Sequence, residues 1–144
     1  DDWRTYHSST EGEQNQWFQF RRQRGTDIGG GKWLIDLLQL RSDPRLPNYF
    51  APTSGTTFRG ALPGEEDETV SWLSAARADP AYRQPMITWA ENQLILAEAQ
   101  QRTGQDGAAL TTLNGVRQAA GLSALAGLTG RALLVAILEE KYVS

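Results

Sequence analysis

All six prolines of this 144-residue chain fall between Pro44 and Pro85, and none follows. Proline removes a backbone donor and clashes inside a helix, so this distribution partitions the chain before any other reading is made. Long helices are confined to the stretches outside it. The middle also holds Gly55, Gly60, Gly64 and the acidic run Glu65, Glu66, Asp67 and Glu68. An irregular excursion of this length is unusual within a compact domain and often carries function. Short strands are expected near Tyr49–Phe50 and Thr56–Arg59, and a short helix near Thr69–Arg77.

From Pro85 onward the apolar residues follow a helical period. Ile87, Ala90, Leu94 and Ala97 share one face of a helix over 87–102, widened by Leu96 and Ala99. Gly104 suits a left-handed position after its end. Asp106 is expected to cap the next helix, which runs to Ala120 on the stripe Ala109, Leu113, Val116 and Ala120. Leu94 and Ala97 should face Leu113 and Val116. A third helix begins near Thr129 and carries Leu133, Leu134, Ile137, Leu138 and Tyr142. No stop signal closes it before Ser144. Before the prolines, Lys32–Arg41 reads as a short helix with Trp33, Leu34, Leu37 and Leu38 on one stripe, ended at Asp43-Pro44. Residues 1–30 are polar and Gln-rich with interleaved aromatics. They are read mostly as loop, with an extended piece at Gln16–Arg22. The fold class expected is mainly α: a tetratricopeptide-like hairpin and further helices, with long irregular loops and short strands.

Composition excludes several functions. The chain has no Cys, so disulfides, thiolate metal sites and Cys nucleophiles are ruled out of it. A net charge of -3 argues against nucleic acid as a partner, and Arg21, Arg22 and Arg24 read as a solvated face. No run of about 18 apolar residues is present to span a membrane. Gly29-Gly30-Gly31-Lys32 lacks the leading Gly, where Thr26 stands, and the following Ser or Thr, where Trp33 stands. It therefore fails as a phosphate loop and reads as a flexible lead into the helix. His7 is the only His and has no partner for a metal or a triad. Glu11 with Glu13, and the Glu65–Glu68 run, sit in polar loops where water keeps carboxylates ordinary, unlike a glycosidase acid. Glu91 and Glu98, two turns apart, suit pairing with Arg residues of a neighbouring helix. No cofactor or metal is expected, and no catalytic activity.

The segment RTGQDGAALTTLNGVR, a helix end, a Gly turn and an Ala-Leu helix, is similar to a tetratricopeptide unit. One such unit cannot bury both its faces, and no second copy is found. The strings ITWAENQLILAEAQQRTGQ, AALTTLNGVRQAAGL and LTGRALLVAILEEKY together resemble the C-terminal part of SusD/RagB-like proteins. WLIDLLQLRSDPRLPNYF, with its Asp43-Pro44-Arg45 turn, fits as well. The resemblance runs from Gln16 to Ser144 and implies a single partial domain, 1–144, of a larger protein, truncated at both ends. Its zones would be 1–30, 31–41, 42–85 and 86–144. Isolated, it should be poorly stable, with apolar faces left open.

The resemblance further implies a lipoprotein on the outward side of the outer membrane. Such a protein binds glycans or other nutrients and caps a SusC-like TonB-dependent transporter, without catalysis and without a lipid anchor inside these residues. The alternatives are a tetratricopeptide adaptor that binds peptides and a glycosidase. Ligand contact is expected in the irregular N-terminal zone, where aromatics are least committed to a helical core. Trp17 is the first candidate and Trp3, Tyr6 and Phe20 follow. Indole accepts the C–H face of a sugar and its N–H can meet a hydroxyl. Gln14, Asn15 and Gln16 beside Trp17 offer amide hydrogen bonds.

Overall fold

A computed structural model describes residues 2–24, 29–64 and 69–144. The described residues are mainly helical. Six helices are present, α1 (Gln16–Gln23), α2 (Lys32–Leu40), α3 (Leu46–Tyr49), α4 (Trp89–Arg102), α5 (Asp106–Ala119) and α6 (Gly130–Val143). Two short strands, β1 (Trp3–Arg4) and β2 (Pro85–Ile87), pair with each other. The chain divides into two compact units, one of residues 1–3 with 85–144 and one of residues 4–84.

The first unit is built on the helical hairpin that the periodicity predicts, except that Ile87, expected on the apolar face of the first helix, ends β2 and is exposed, because Thr88 caps α4 at Trp89. Leu94 and Ala97 of α4 are fully buried against Ala109, Leu113 and Val116 of α5, and Leu133 and Ile137 of α6 complete the cluster. Gly104 sits at φ +79° between α4 and α5. Its N–H donates to the Gln101 carbonyl, and the Gln105 N–H donates to that of Gln100. This is the paired hydrogen-bond closure that a left-handed residue after a helix permits. Asp106 does not cap α5 as expected. Gln105 holds the cap position, and the Asp106 carboxylate instead accepts the Gly130 N–H at 2.7 Å, pinning the start of α6. The Asn114 side-chain amide braces the connection between α5 and α6, donating to the Leu125 carbonyl and accepting its N–H. Glu140 is buried on α6 and meets Arg117 of α5 at 3.2 Å. Glu98 accepts from Lys141 of α6 and from Arg102 of its own helix. Its neighbouring-helix partner is thus a Lys, where an Arg was expected. Those two hydrogen bonds outweigh partial burial and hold its carboxyl below the usual range.

In the second unit, the expected extended piece at Gln16–Arg22 is helix α1. Asn15 explains the difference. Its side-chain oxygen accepts the Trp17 and Phe18 N–H groups, capping the helix, while its amide and N–H donate to the Tyr82 and Pro80 carbonyls. Arg21 and Arg22 lie in the last turn, where the helix dipole favours cations. On α2 the buried pair is Ile35 and Leu38, and Trp33 points to solvent with 68% of its surface exposed. The stripe expected to include Trp33 is therefore rotated.

The glycines before α2 are not a flexible lead. A Cβ on Gly29 would lie 2.3 Å from a Val70 methyl, and one on Gly30 would lie 2.5 Å from the Ile35 terminal methyl. A Cβ on Gly60 would lie 2.3 Å from the Lys32 Cα, a backbone atom that cannot turn aside, so only a residue without a side chain fits. These close approaches hold the irregular middle together. Gly31 bridges Ala61 in parallel, Phe50 bridges Leu73 in antiparallel, and Ser54 bridges Thr57.

No strand forms at Tyr49–Phe50 or Thr56–Arg59, and no helix forms among the described residues near Thr69–Arg77. Tyr49 ends α3. The Ser71 N–H donates to the Arg59 carbonyl and its carbonyl accepts from Gly30, so this backbone bonds sideways rather than along a helix. At the end of α2, Asp43 is fully buried. Arg45 grips its carboxylate through two side-chain donors at 2.9 and 2.7 Å and through its own N–H. Burial alone would raise the Asp43 carboxyl; the Arg45 bonds and the charges of Arg45 and Arg41 prevail and hold it below the usual range.

Candidate functional site

The site is an open cleft of about 440 Å³ in the second unit, lined by Arg21, Ala51, Pro52, Thr53, Thr69, Val70 and Trp72. Its walls come mainly from two stretches that the structure leaves irregular, 51–53 and 69–72. The Ala51 N–H donates to the Trp72 carbonyl at 2.7 Å, next to the Phe50–Leu73 bridge, so segments 50–53 and 69–73 lie side by side. Val70 and Ser71 are buried under this pair and anchor it. The Ser71 hydroxyl accepts the Arg59 N–H, and the Arg59 guanidinium donates to the Thr69 hydroxyl. The Thr53 hydroxyl donates to the Thr57 carbonyl across a tight loop.

Trp72 presents its indole, half-buried, to this cleft. The Arg21 guanidinium lies over the indole with 4.8 Å between its carbon and the ring centroid. A cation over an indole face is an attractive contact, and Arg presents a flat surface to it. The cleft thus offers an aromatic surface, two threonine hydroxyls and a guanidinium edge within one concavity. This mixture fits a polar ligand with one apolar face.

The residues named from the sequence are placed as follows. Trp17 and Phe20 are exposed on α1 by 48% and 43%, one turn apart. Trp17 precedes Arg21 by four residues and so shares the helix face that reaches the cleft. Tyr6 is 68% exposed, with the Arg83 guanidinium 5.3 Å from its ring. Trp3, equally exposed, belongs to the other unit, on β1. The amides expected beside Trp17 divide. Asn15 is buried and its side-chain oxygen and amide are engaged by backbone groups, Gln14 donates to the Ser9 carbonyl, and Gln16 is exposed. A second, polar hollow of about 370 Å³ lies by Glu11, Gln14, Gln19, Arg22 and Gln23.

The sequence reading missed Trp72 and Arg21. Trp72 falls within the short helix expected near Thr69–Arg77, and so was not counted among the uncommitted aromatics of the N-terminal zone. Arg21 was read as solvated, and only the chain reversal that brings residue 72 to it reveals its partner. His7 meets the Glu13 carbonyl at 3.2 Å and the Ser8 hydroxyl donates to the Glu13 carboxylate, a local loop arrangement. The Glu65–Glu68 run lies outside the described residues. Among the described residues no cluster of His, Asp and Glu is set to hold a metal.

Neither a protein-family model nor a curated protein matches the chain. Among the solved structures similar in fold is one of a protein described as chitin-binding. It superposes with a TM-score of 0.64 over 95% of this chain at 18% identity. This chain spans 34% of that protein's length, about a third.

Proposed function

We propose that this chain is part of a carbohydrate-binding protein without catalytic activity. The observation that carries the proposal is the indole of Trp72, backed by Arg21, at the wall of an open cleft that also holds the Thr53 and Thr69 hydroxyls. Aromatic surface and hydroxyl partners together suit a sugar ring, which has an apolar C–H face and a polar rim. The similarity of fold to a chitin-binding protein supports the same ligand class. Trp17, one turn before Arg21, extends the aromatic surface outward, with Phe20 beside it and Tyr6 as an outlying contact.

The finer reading follows the sequence resemblance to SusD/RagB-like proteins. On that reading the protein is held by a lipid anchor on the outward side of the outer membrane, and it delivers an oligosaccharide or other nutrient to a TonB-dependent transporter. Binding without bond cleavage fits such a role, because the ligand must be released intact.

Calorimetric titration of the full-length protein with chitohexaose, for the unmodified form and for Trp72→Ala, tests the proposal. Loss of one stacked aromatic should weaken binding about tenfold or more, since such contacts are worth roughly 1 kcal/mol beyond the area they bury. Trp17→Ala should weaken it less. Unchanged affinity in a folded Trp72→Ala variant would reject the cleft. Cleavage of the chitohexaose during titration would reject the non-catalytic reading.

A further inference from the structure

The cleft combines an aromatic platform with a fixed positive charge, and this bears on which sugars it takes. Among its described lining residues the charged side chain is Arg21. Its guanidinium is held at the cleft wall, with its carbon over the Trp72 ring at 4.8 Å from the centroid. A guanidinium carries five N–H donors in a planar fork, so one attracted to an aromatic ring keeps donors for a second partner. That fork geometry matches a carboxylate or sulfate through paired hydrogen bonds. A second guanidinium stands behind the wall, where Arg59 donates to the Thr69 hydroxyl. Thr53 across the cleft also carries a hydroxyl oxygen in the lining.

Neutral and acidic ligands would use these groups differently. A neutral sugar gains the indole and ordinary hydroxyl bonds. An acidic sugar gains the same contacts and also a charge-assisted pair with Arg21, about twice as strong as a neutral hydrogen bond. We infer that the cleft prefers an oligosaccharide bearing an anionic substituent, a carboxylate or a sulfate, with the sugar ring on Trp72 and the anion on the edge of Arg21. The inference rests on the carbohydrate-binding reading and narrows its ligand class.

The experiment compares three hexasaccharides on the full-length protein at low ionic strength: chitohexaose, which is neutral, hexagalacturonate, which carries carboxylates, and a carrageenan hexamer, which carries sulfates. At least one acidic hexamer should bind about tenfold more tightly than chitohexaose, the margin that a charge-assisted bond adds over a neutral one. Which of the two does so identifies the anion. Arg21→Gln should remove that margin, so that in the variant neither acidic hexamer binds more tightly than chitohexaose. Raising the salt concentration on the unmodified protein should shrink the margin as well, because the cleft is open to screening. This second measurement does not depend on a variant that folds. Equal affinity for all three hexamers overturns the charge preference and leaves the carbohydrate reading standing. A margin that survives Arg21→Gln also overturns it. Binding of none of the three overturns both.

Discussion

Asp43 shows how one residue can hold a turn. It follows the left-handed residue after α2, and its carboxylate takes three donors from Arg45 while Arg41 stands 3.7 Å away. Removing one member of a buried, hydrogen-bonded ion pair leaves the other charge uncompensated, which typically costs 3–5 kcal/mol. Asp43→Asn keeps the shape and removes the charge, so we expect a loss of about 3 kcal/mol at neutral pH. The pH dependence has a definite sign. The folded carboxyl lies below its unfolded value, so its contribution is fully present above about pH 4. It is lost as pH falls from there through the depressed folded value. Urea unfolding of the unmodified chain and of Asp43→Asn should therefore differ strongly at pH 7 and converge in acid. A difference that stayed constant down to pH 2 would show that the charge is not the source. Trp72 belongs to this scale too, since its predicted effect on sugar affinity rests on a single indole.

Helix ends recur as a device at the scale of the element. Three helices close in the same way, with paired hydrogen bonds around a left-handed residue: Ser42 after α2, Gly104 after α4 and Gly121 after α5. Two of the three use glycine, for which the conformation is free of strain. Ser42, at φ +49°, is the exception. Ser42→Gly should raise stability by about 0.5 kcal/mol, the relief of strain being partly offset by the freer unfolded chain. Gly104→Ala should lower it by about 1 kcal/mol. Thermal melts of the two variants should move in opposite directions, and a shift of both in one direction would refute the account. At the other end of a helix, Asn15 caps α1 and ties it to Pro80 and Tyr82. Asn15→Ala should cost at least the 1 kcal/mol or so of a lost cap, because the Tyr82 carbonyl loses its donor as well. Circular dichroism under denaturant would measure this.

For the whole molecule, the cores are small and much apolar surface stays open. On α6, Leu133 and Ile137 are buried, whereas Val135, Leu138 and Tyr142 are exposed, as are Ile95 and Leu96 on α4. Contiguous exposed apolar residues promote association. The isolated 144-residue chain should therefore self-associate as its concentration rises, and Leu138→Lys should shift it toward monomer in sedimentation velocity. A chain that remained monomeric at all concentrations, with a sharp transition at high temperature, would show these faces to be stable in water.

The helices after Pro85, the Gly104 turn and the packing of Leu94 and Ala97 on Leu113 and Val116 were legible because they depend on a local period and on local backbone preference. A stripe at 3.6 residues declares both the helix and its buried side. The same reasoning misplaced α1, because its stability comes from Asn15, whose hydrogen bonds reach residues 80 and 82. It also took Gly29–Gly31 for slack chain. Their lack of side chains is explained only by Val70, Ile35 and Phe50, which tertiary contact brings against Gly29 and Gly30. Trp72 and Arg21, fifty-one positions apart, illustrate the general reason. Sequence by itself sets periodicity and local propensity, so it determined the helices that carry a clear apolar stripe after Pro85, α4, α5 and α6. Which aromatic meets which cation depends on how irregular segments cross, and long-range hydrogen bonds and steric fit decide that only when the chain is folded.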